Sequence, residues 1–163
     1  MKVGIVADGA GFELKRKLVS LLMIEGYSVV DFGNKLYDNE RDYPEALEDL
    51  IRAISKMDVQ RGVAVSGDGA GAKSRANQTP GVRAEICYDD SDVRRGVEDC
   101  DLNILCQEAR FAGIAVAWNL TASFLEATFA RTKDDPRQLA GIWPIGHRLI
   151  DPSQAEPGLK VST

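Results

Sequence analysis

The chain has 163 residues, 44% of them hydrophobic, and a formal net charge of −5. That length suits one domain with a sizeable core, and the acidic balance argues against nucleic acid or an anionic membrane as a main partner. No apolar run approaches the roughly 20 residues of a membrane span, and the first residues read as a strand rather than a signal peptide.

Residues 2–7 are almost wholly apolar, as a strand buried on both faces would be. Residues 11–25 follow, with Leu14, Leu18, Leu21 and Leu22 on one stripe and Lys15, Arg16 and Lys17 opposite or flanking, an amphipathic helix ended by Gly26. Residues 28–32 form a second strand closed by Gly33, and a polar loop, 34–42, leads to Pro44 at the head of a helix reaching about Met57. A third strand spans 61–66, a short helix 72–77, and a Pro80-Gly81 turn introduces a fourth strand over 82–87. A helix at 91–98, a strand at 102–105 and a long helix at 112–129, with Trp118, Leu120, Phe124 and Leu125 facing the core, complete the pattern. Residues 136–146 read as a last short helix or irregular arm, and 151–163 as a loosely ordered tail or one packed on a partner. Strands alternating with helices predict an α/β fold, a three-layer sandwich around a five-stranded parallel Rossmann-like sheet, with residues 1–150 as one domain.

In such a sheet ligands bind beyond the carboxyl ends of the strands, at the switch point. Asp8, Ser66 and Asp68 lie at such ends. The run Val63-Ala-Val-Ser-Gly-Asp-Gly-Ala-Gly71 joins a strand to a helix start, which would turn free backbone N–H groups toward an anion or a developing oxyanion. The same run equally reads as a tight turn without a ligand. Cys87, Cys100 and Cys106 are odd in number and lack CxxC spacing, so reduced cytoplasmic thiols are expected rather than a zinc site or a disulfide framework. With His147 the only histidine, a multi-histidine metal site is nearly excluded. No metal and no cofactor is expected.

Several colinear segments together resemble the ribose-5-phosphate isomerase B family, which includes the galactose-6-phosphate isomerase subunits. They are Asp8-Gly-Ala-Gly-Phe-Glu-Leu-Lys15, Val30-Asp-Phe-Gly33, Asp42-Tyr-Pro44, the glycine loop, Ala76-Asn77, Pro80-Gly-Val-Arg-Ala84, the Asp101, Asn103 and Leu105 positions, and Ala109-Arg110. The resemblance covers about residues 1–142. It implies interconversion of aldose and ketose phosphates through a cis-enediolate, with loop amides holding the oxyanion, and a site formed between subunits of a homodimer or higher homo-oligomer.

The chain departs from that family at most of its chemical positions. The resemblance puts the family's basic cysteine at Ser66, its alternative glutamate at Ala72, its loop threonine at Asp68, its two histidines at Gly9 and Asp99, and an asparagine at Cys100. Lys133 and Arg137 match the paired arginines that hold the phosphate. Asp8, Tyr43, Gly67, Gly69, Gly71 and Asn103 are retained, and with Gly9, Cys100, Lys133 and Arg137 they are the expected sugar-binding set. Asp68 is the candidate base, because a carboxylate on this loop abstracts a proton if burial tunes it; it also reads as a loop aspartate bonding its own backbone. Ser66 needs a base of its own and reads more simply as a small residue that fits. Asp99 is a third candidate for proton transfer, and equally a solvated acid at a helix end. Lys73 and Arg75 either supply charge to an anion or are ordinary helix charges. Two functions stand side by side: a sugar or sugar-phosphate isomerase, and a non-catalytic relative acting as a sugar-binding regulator or as the inactive subunit of a hetero-oligomer.

Overall fold

A computed structural model describes residues 1–33 and 43–130. Five strands, β1 (Lys2–Ala7), β2 (Ser28–Asp31), β3 (Arg61–Ser66), β4 (Ala84–Ile86) and β5 (Ile104–Glu108), alternate with helices α1 (Phe12–Ile24), α2 (Tyr43–Ser55), α3 (Ala70–Ala76), α4 (Asp90–Cys100) and α5 (Ile114–Glu126). The strands form one sheet in the order β2-β1-β3-β5-β4, and every pairing is parallel.

Both faces of the sheet are covered, which is why its strands read as continuous apolar runs rather than alternating ones. On one face Val3, Ile5, Val63 and Leu105 pack against Leu18 and Leu22 of α1, Val93 and Val97 of α4, and Phe124 of α5. On the other, Val6, Ala64, Ile104 and Cys106 meet Leu47, Leu50, Ile51 and Ile54 of α2 and Ala72 and Ala76 of α3. The α2 stripe recurs at helical spacing, so burial of that stripe rather than intrinsic propensity holds the helix. The helix comes so close to β1 that a Cβ on Gly4 would overlap Leu50 and come within 2.9 Å of Phe32.

From β1 the chain crosses to β2 over the α1 face, then returns to β3 over the α2 face. The helices after β1 and β3 therefore leave toward opposite faces. That divergence opens a crevice at the carboxyl ends of these two neighbouring strands. Beside it, at the end of β2, Lys15 is buried and donates to both Asp31 oxygens at 2.8 and 2.9 Å, while Gly33 N donates to Asp31 Oδ1 at 3.0 Å.

Most boundaries differ from the sequence reading by one or two residues. The exceptions are β5, expected over 102–105 and found at Ile104–Glu108, and the end of α5, expected at 129 and found at Glu126. Polar Gln107 and Glu108 look like the end of an apolar run, yet Gln107 is buried because its Nε2 donates to Ala117 O (3.0 Å) and Thr121 Oγ1 (2.9 Å) of α5. The expected arm at 136–146 and the tail at 151–163 lie outside the described residues.

Candidate active site

Asp8 closes β1 and joins the two glycine loops. Its Oδ1 accepts from Gly11 N and its Oδ2 from Gly67 N, each at 2.8 Å. Gly11 has to be glycine because a Cβ there would overlap the Val65 carbonyl. A carboxylate offers about four lone-pair sites, so both oxygens can still accept hydroxyl donors after these two bonds.

At the end of β3, Ser66 is buried and its Oγ accepts from Gly69 N at 3.1 Å. Gly69 turns the chain in the left-handed region (φ 68°), with Ile86 and Glu108 packed against it. The amides of Gly67 and Gly69 are thus engaged by Asp8 and Ser66. Those of Asp68, Ala70 and Gly71 have no protein partner among the described residues. Helix α3 has only seven residues, so any oxyanion here depends on individual amides more than on a helix dipole.

Tyr43, the first residue of α2, faces the same point. Its hydroxyl is buried without a hydrogen-bond partner among the described residues. Burial pushes its pKa well above the ordinary tyrosine value; the neighbouring Ser66 side chain pulls the other way, and Cys106, Asp8 and Asp68 add to the rise. The result is a neutral phenol beside Ser66, close enough to Asp8 and Asp68 to feel their charge, whose hydroxyl can donate to a ligand oxygen.

Asp68 is exposed on the loop, and no side-chain hydrogen bond is made to it by any described residue. The burial that was to tune it as a base is absent in the protomer. Gly9 and Gly71 are exposed and unobstructed. Lys73 pairs with Glu85 and Arg75 with Glu48, so these are helix charges directed away from the loop. Arg110 stands beside it instead: Nε and Nη2 lie 3.5 and 3.6 Å from where a Cβ on Gly67 would be. The guanidinium is exposed and makes no ion pair among the described residues. Sequence reasoning quoted Arg110 only as part of a motif; with β5 ended at 105, nothing placed it at the carboxyl edge.

The remaining expected site residues are elsewhere. Asp99 and Cys100 are exposed at the end of α4, which leads into the amino end of β5. One strand length, on the order of 16 Å, separates them from the Asp8 edge. Asn103 stands at that same amino edge, a correction to its expected place beside Asp8. Its Oδ1 accepts from Arg83 N and its Nδ2 donates to Gly81 O, each at 2.8 Å, which fixes the entry of β4 beside β5. Lys133 and Arg137 lie outside the described residues. The Cys87 and Cys106 thiols are buried and pushed up to about 12, chiefly by burial, and are core groups rather than nucleophiles. Among the described residues no cluster of three His, Cys, Asp or Glu side chains could hold a metal ion, and no helix is long and apolar enough to cross a membrane.

The profile of the ribose/galactose isomerase family matches residues 3–142. The chain belongs to this family. Among its relatives, a ribose-5-phosphate isomerase B of Listeria innocua is 30% identical over 131 residues, 80% of this chain and 87% of the relative. A galactose-6-phosphate isomerase subunit of Clostridium acetobutylicum is 29% identical over 87% of this chain and 82% of its own length. In three dimensions, a ribose 5-phosphate isomerase of Thermotoga maritima superposes with a TM-score of 0.79 at 28% identity, covering 86% of this chain and 94% of that one. Within the family, then, this member has the Asp8 clamp and the glycine loop described above, and carries Ser66 and buried Ala72 where the resemblance puts the two usual bases.

Proposed function

We propose that the chain is an aldose–ketose isomerase acting on a small sugar phosphate through an enediolate. The observation that carries this reading is the carboxylate-tied pair of glycine loops at the β1/β3 switch point, with the Tyr43 hydroxyl and the Arg110 guanidinium beside it. Family membership supports the reaction class. Arg110 supports a phosphate end, since a guanidinium matches phosphate oxygens with paired donors. Asp8 accepts sugar hydroxyls, and Tyr43 donates to the carbonyl oxygen.

In the reaction a base takes the proton from the hydroxyl-bearing carbon beside the carbonyl; the C–H electron pair becomes the C=C bond of an enediolate, the carbonyl π pair moves onto its oxygen, and the proton of the neighbouring hydroxyl passes to that oxygen. The base then gives a proton, in part exchanged with solvent, to the former carbonyl carbon, and the other oxygen becomes the new carbonyl. Asp68 is the base in this reading, with a bound sugar supplying the burial that the open loop lacks. The protein works in the cytoplasm with its thiols reduced. It works as a homodimer, because Asp99 and Cys100 at the amino edge can reach a glycine loop only on another copy.

In deuterated water, the protein is expected to exchange the C1 or C2 proton of ribose 5-phosphate or a hexose 6-phosphate. Asp68→Asn keeps the shape of the loop and should lower that exchange roughly 100-fold or more, leaving affinity nearly intact. Wild-type exchange in the variant would remove Asp68 from the mechanism.

A second reading rests on a specific observation: neither usual base is present, and the Ser66 hydroxyl is engaged with Gly69 N. The chain would then bind a sugar without turning it over, as a regulator or an inactive subunit. Binding without exchange for every sugar phosphate offered would select it.

A further inference from the structure

An aldose–ketose isomerisation needs two proton transfers, one at carbon and one between the two oxygens of the enediolate, and only the first has a residue so far. Among the described residues at the loop, Asp8 is a poor carrier for the second. Its oxygens hold Gly11 N and Gly67 N, and a proton taken up there would weaken the bonds that tie the loops together. The Tyr43 phenol is kept neutral by burial, and the Ser66 oxygen is engaged by Gly69 N. The transfer calls for a group that takes and gives a proton within hydrogen-bond reach of both oxygens.

Glu108 ends β5 as the register partner of Ser66 in β3, and partnered residues of neighbouring strands point to the same face. Ala64 and Cys106, two residues earlier on each strand, lie in the layer covered by α2 and α3, so Ser66 and Glu108 continue that layer to the carboxyl edge. Glu108 Cγ lies 3.3 Å from where a Cβ on Gly69 would be, which sets the side chain against the glycine loop. Its backbone is firmly held: Ala109 N donates to Ser66 O at 2.8 Å, and Phe111 N and Ala112 N donate to Glu108 O at 3.1 and 3.0 Å. The Tyr88 hydroxyl donates to Oε1 at 3.3 Å and orients the carboxylate. Oε2 has no hydrogen-bond or ion-pair partner among the described residues. Glu108 is also partly buried, whereas Asp68 is exposed.

Arg110 leaves the same strand end two residues later and stands at Gly67, while Glu108 stands at Gly69. These two glycines are at most ~7 Å apart along the chain. A phosphate is drawn to Arg110 and repelled by Glu108, so the far end of a short phosphorylated chain, where the carbonyl is, comes to the Gly69 side. We propose that Glu108 is a catalytic residue that carries the hydroxyl proton between the two enediolate oxygens, a role that rests on the proposed function. Once the carbon proton has gone to the base, the former carbonyl oxygen bears the negative charge. Glu108 Oε2 takes the proton of the neighbouring hydroxyl and delivers it to that oxygen, which returns Glu108 to a carboxylate and leaves the charge on the second oxygen. The base then protonates the former carbonyl carbon, and the pair on the second oxygen closes the new C=O.

The test follows two rates by NMR in deuterated water, with ribose 5-phosphate or, if that is the sugar the wild type converts, a hexose 6-phosphate. One is deuterium entering C2 of the recovered aldose; the other is formation of ketose. Without the oxygen-to-oxygen transfer an enediolate still forms, but it can only return to aldose. In Glu108→Gln, ketose formation should therefore fall roughly tenfold or more beyond any fall in C2 exchange. Loss of the carbon base or a loosened loop slows both rates by the same factor, so a merely structural role leaves their ratio unmoved. Should Glu108→Gln fail to fold, Tyr88→Phe, which frees the carboxylate to rotate, should lower the same ratio about threefold. A folded Glu108→Gln that converts sugar with the wild-type ratio overturns the role and leaves the proposed function standing. A wild type that neither exchanges nor converts any sugar phosphate removes the proposed function, and this role with it.

Discussion

Each edge of the sheet is held by one polar side chain that ties two segments together, and the two clamps differ in what surrounds them. At the amino edge Asn103 uses its oxygen on Arg83 N and its nitrogen on Gly81 O, while Arg83 itself donates to Asp101 O and pairs with Asp101 Oδ2 at 2.6 Å. At the carboxyl edge Asp8 binds two amides in the same manner, but its neighbours have no hydrogen-bond or ion-pair partner among the described residues: the Tyr43 hydroxyl, the Arg110 guanidinium and the amides of Asp68, Ala70 and Gly71. A finished network is architecture. Polar groups left without partners beside an equally firm clamp are where a ligand completes the hydrogen bonding.

The largest expected effect comes from breaking the carboxyl-edge clamp. Asp8→Asn keeps one acceptor and turns an NH2 toward one of two backbone N–H groups, so a charge-assisted bond is replaced by two facing donors. Stability should fall by roughly 2–3 kcal/mol in urea unfolding, and sugar-phosphate turnover should be nearly lost. A variant as stable as wild type would mean that the loops hold their positions without Asp8.

At the amino edge the same kind of damage should separate stability from function. Asn103→Ala leaves Arg83 N without an acceptor and Gly81 O with only the 3.2 Å bond from Arg83 Nη1, and should cost roughly 2 kcal/mol. The affinity for sugar phosphate should stay within about threefold of wild type, since the protomer keeps its cleft intact. A large drop in affinity with little change in stability would return Asn103 to the binding set.

Arg110 is the opposite case, exposed and joined to nothing among the described residues. Arg110→Gln should leave the unfolding midpoint unchanged and weaken a sugar phosphate about tenfold or more, with the free sugar unaffected. Equal losses for phosphorylated and free sugars would take the phosphate away from this residue.

The difference between the edges also explains what could be seen in the sequence. The all-parallel sandwich was legible because strands covered on both faces leave uninterrupted apolar runs such as Val63-Ala-Val65, with helix stripes between them. Asp8, Tyr43 and the glycine loop were legible because they close such runs. Arg110 and Glu108 were missed for a local reason: two polar residues masked the end of a strand whose Gln107 Nε2 finds its acceptors on α5, a partner ten or more residues away. Asn103 was misplaced because a residue type shared with the family carries no record of which end of its strand it occupies. Asp68 was legible as a loop carboxylate, but its exposure depends on how the loop stands in space, which spacing does not encode.

Tyr43 gives the smallest expected effect and the finest comparison. Tyr43→Phe removes a buried hydroxyl that has no hydrogen-bond partner among the described residues, so at pH 7 stability should change by less than about 1 kcal/mol, with a gain as acceptable as a loss. The alkaline limb should differ more. In the unfolded chain the phenol ionises near pH 10 and in the fold only at a higher pH, since burial raises it. Its contribution is therefore intact below pH 10 and is lost as pH climbs through the folded value, by up to about 1.4 kcal/mol per pH unit. Cys87 and Cys106, both pushed up to about 12, impose a loss of the same sign starting near pH 9, and they do so in wild type and variant alike. The difference between the two proteins above pH 10 isolates Tyr43. Parallel pH profiles would show that the hydroxyl is not buried in solution, and a penalty well above 1 kcal/mol at pH 7 would mean that it bonds to Ser66, making the carboxyl edge as complete as the amino one.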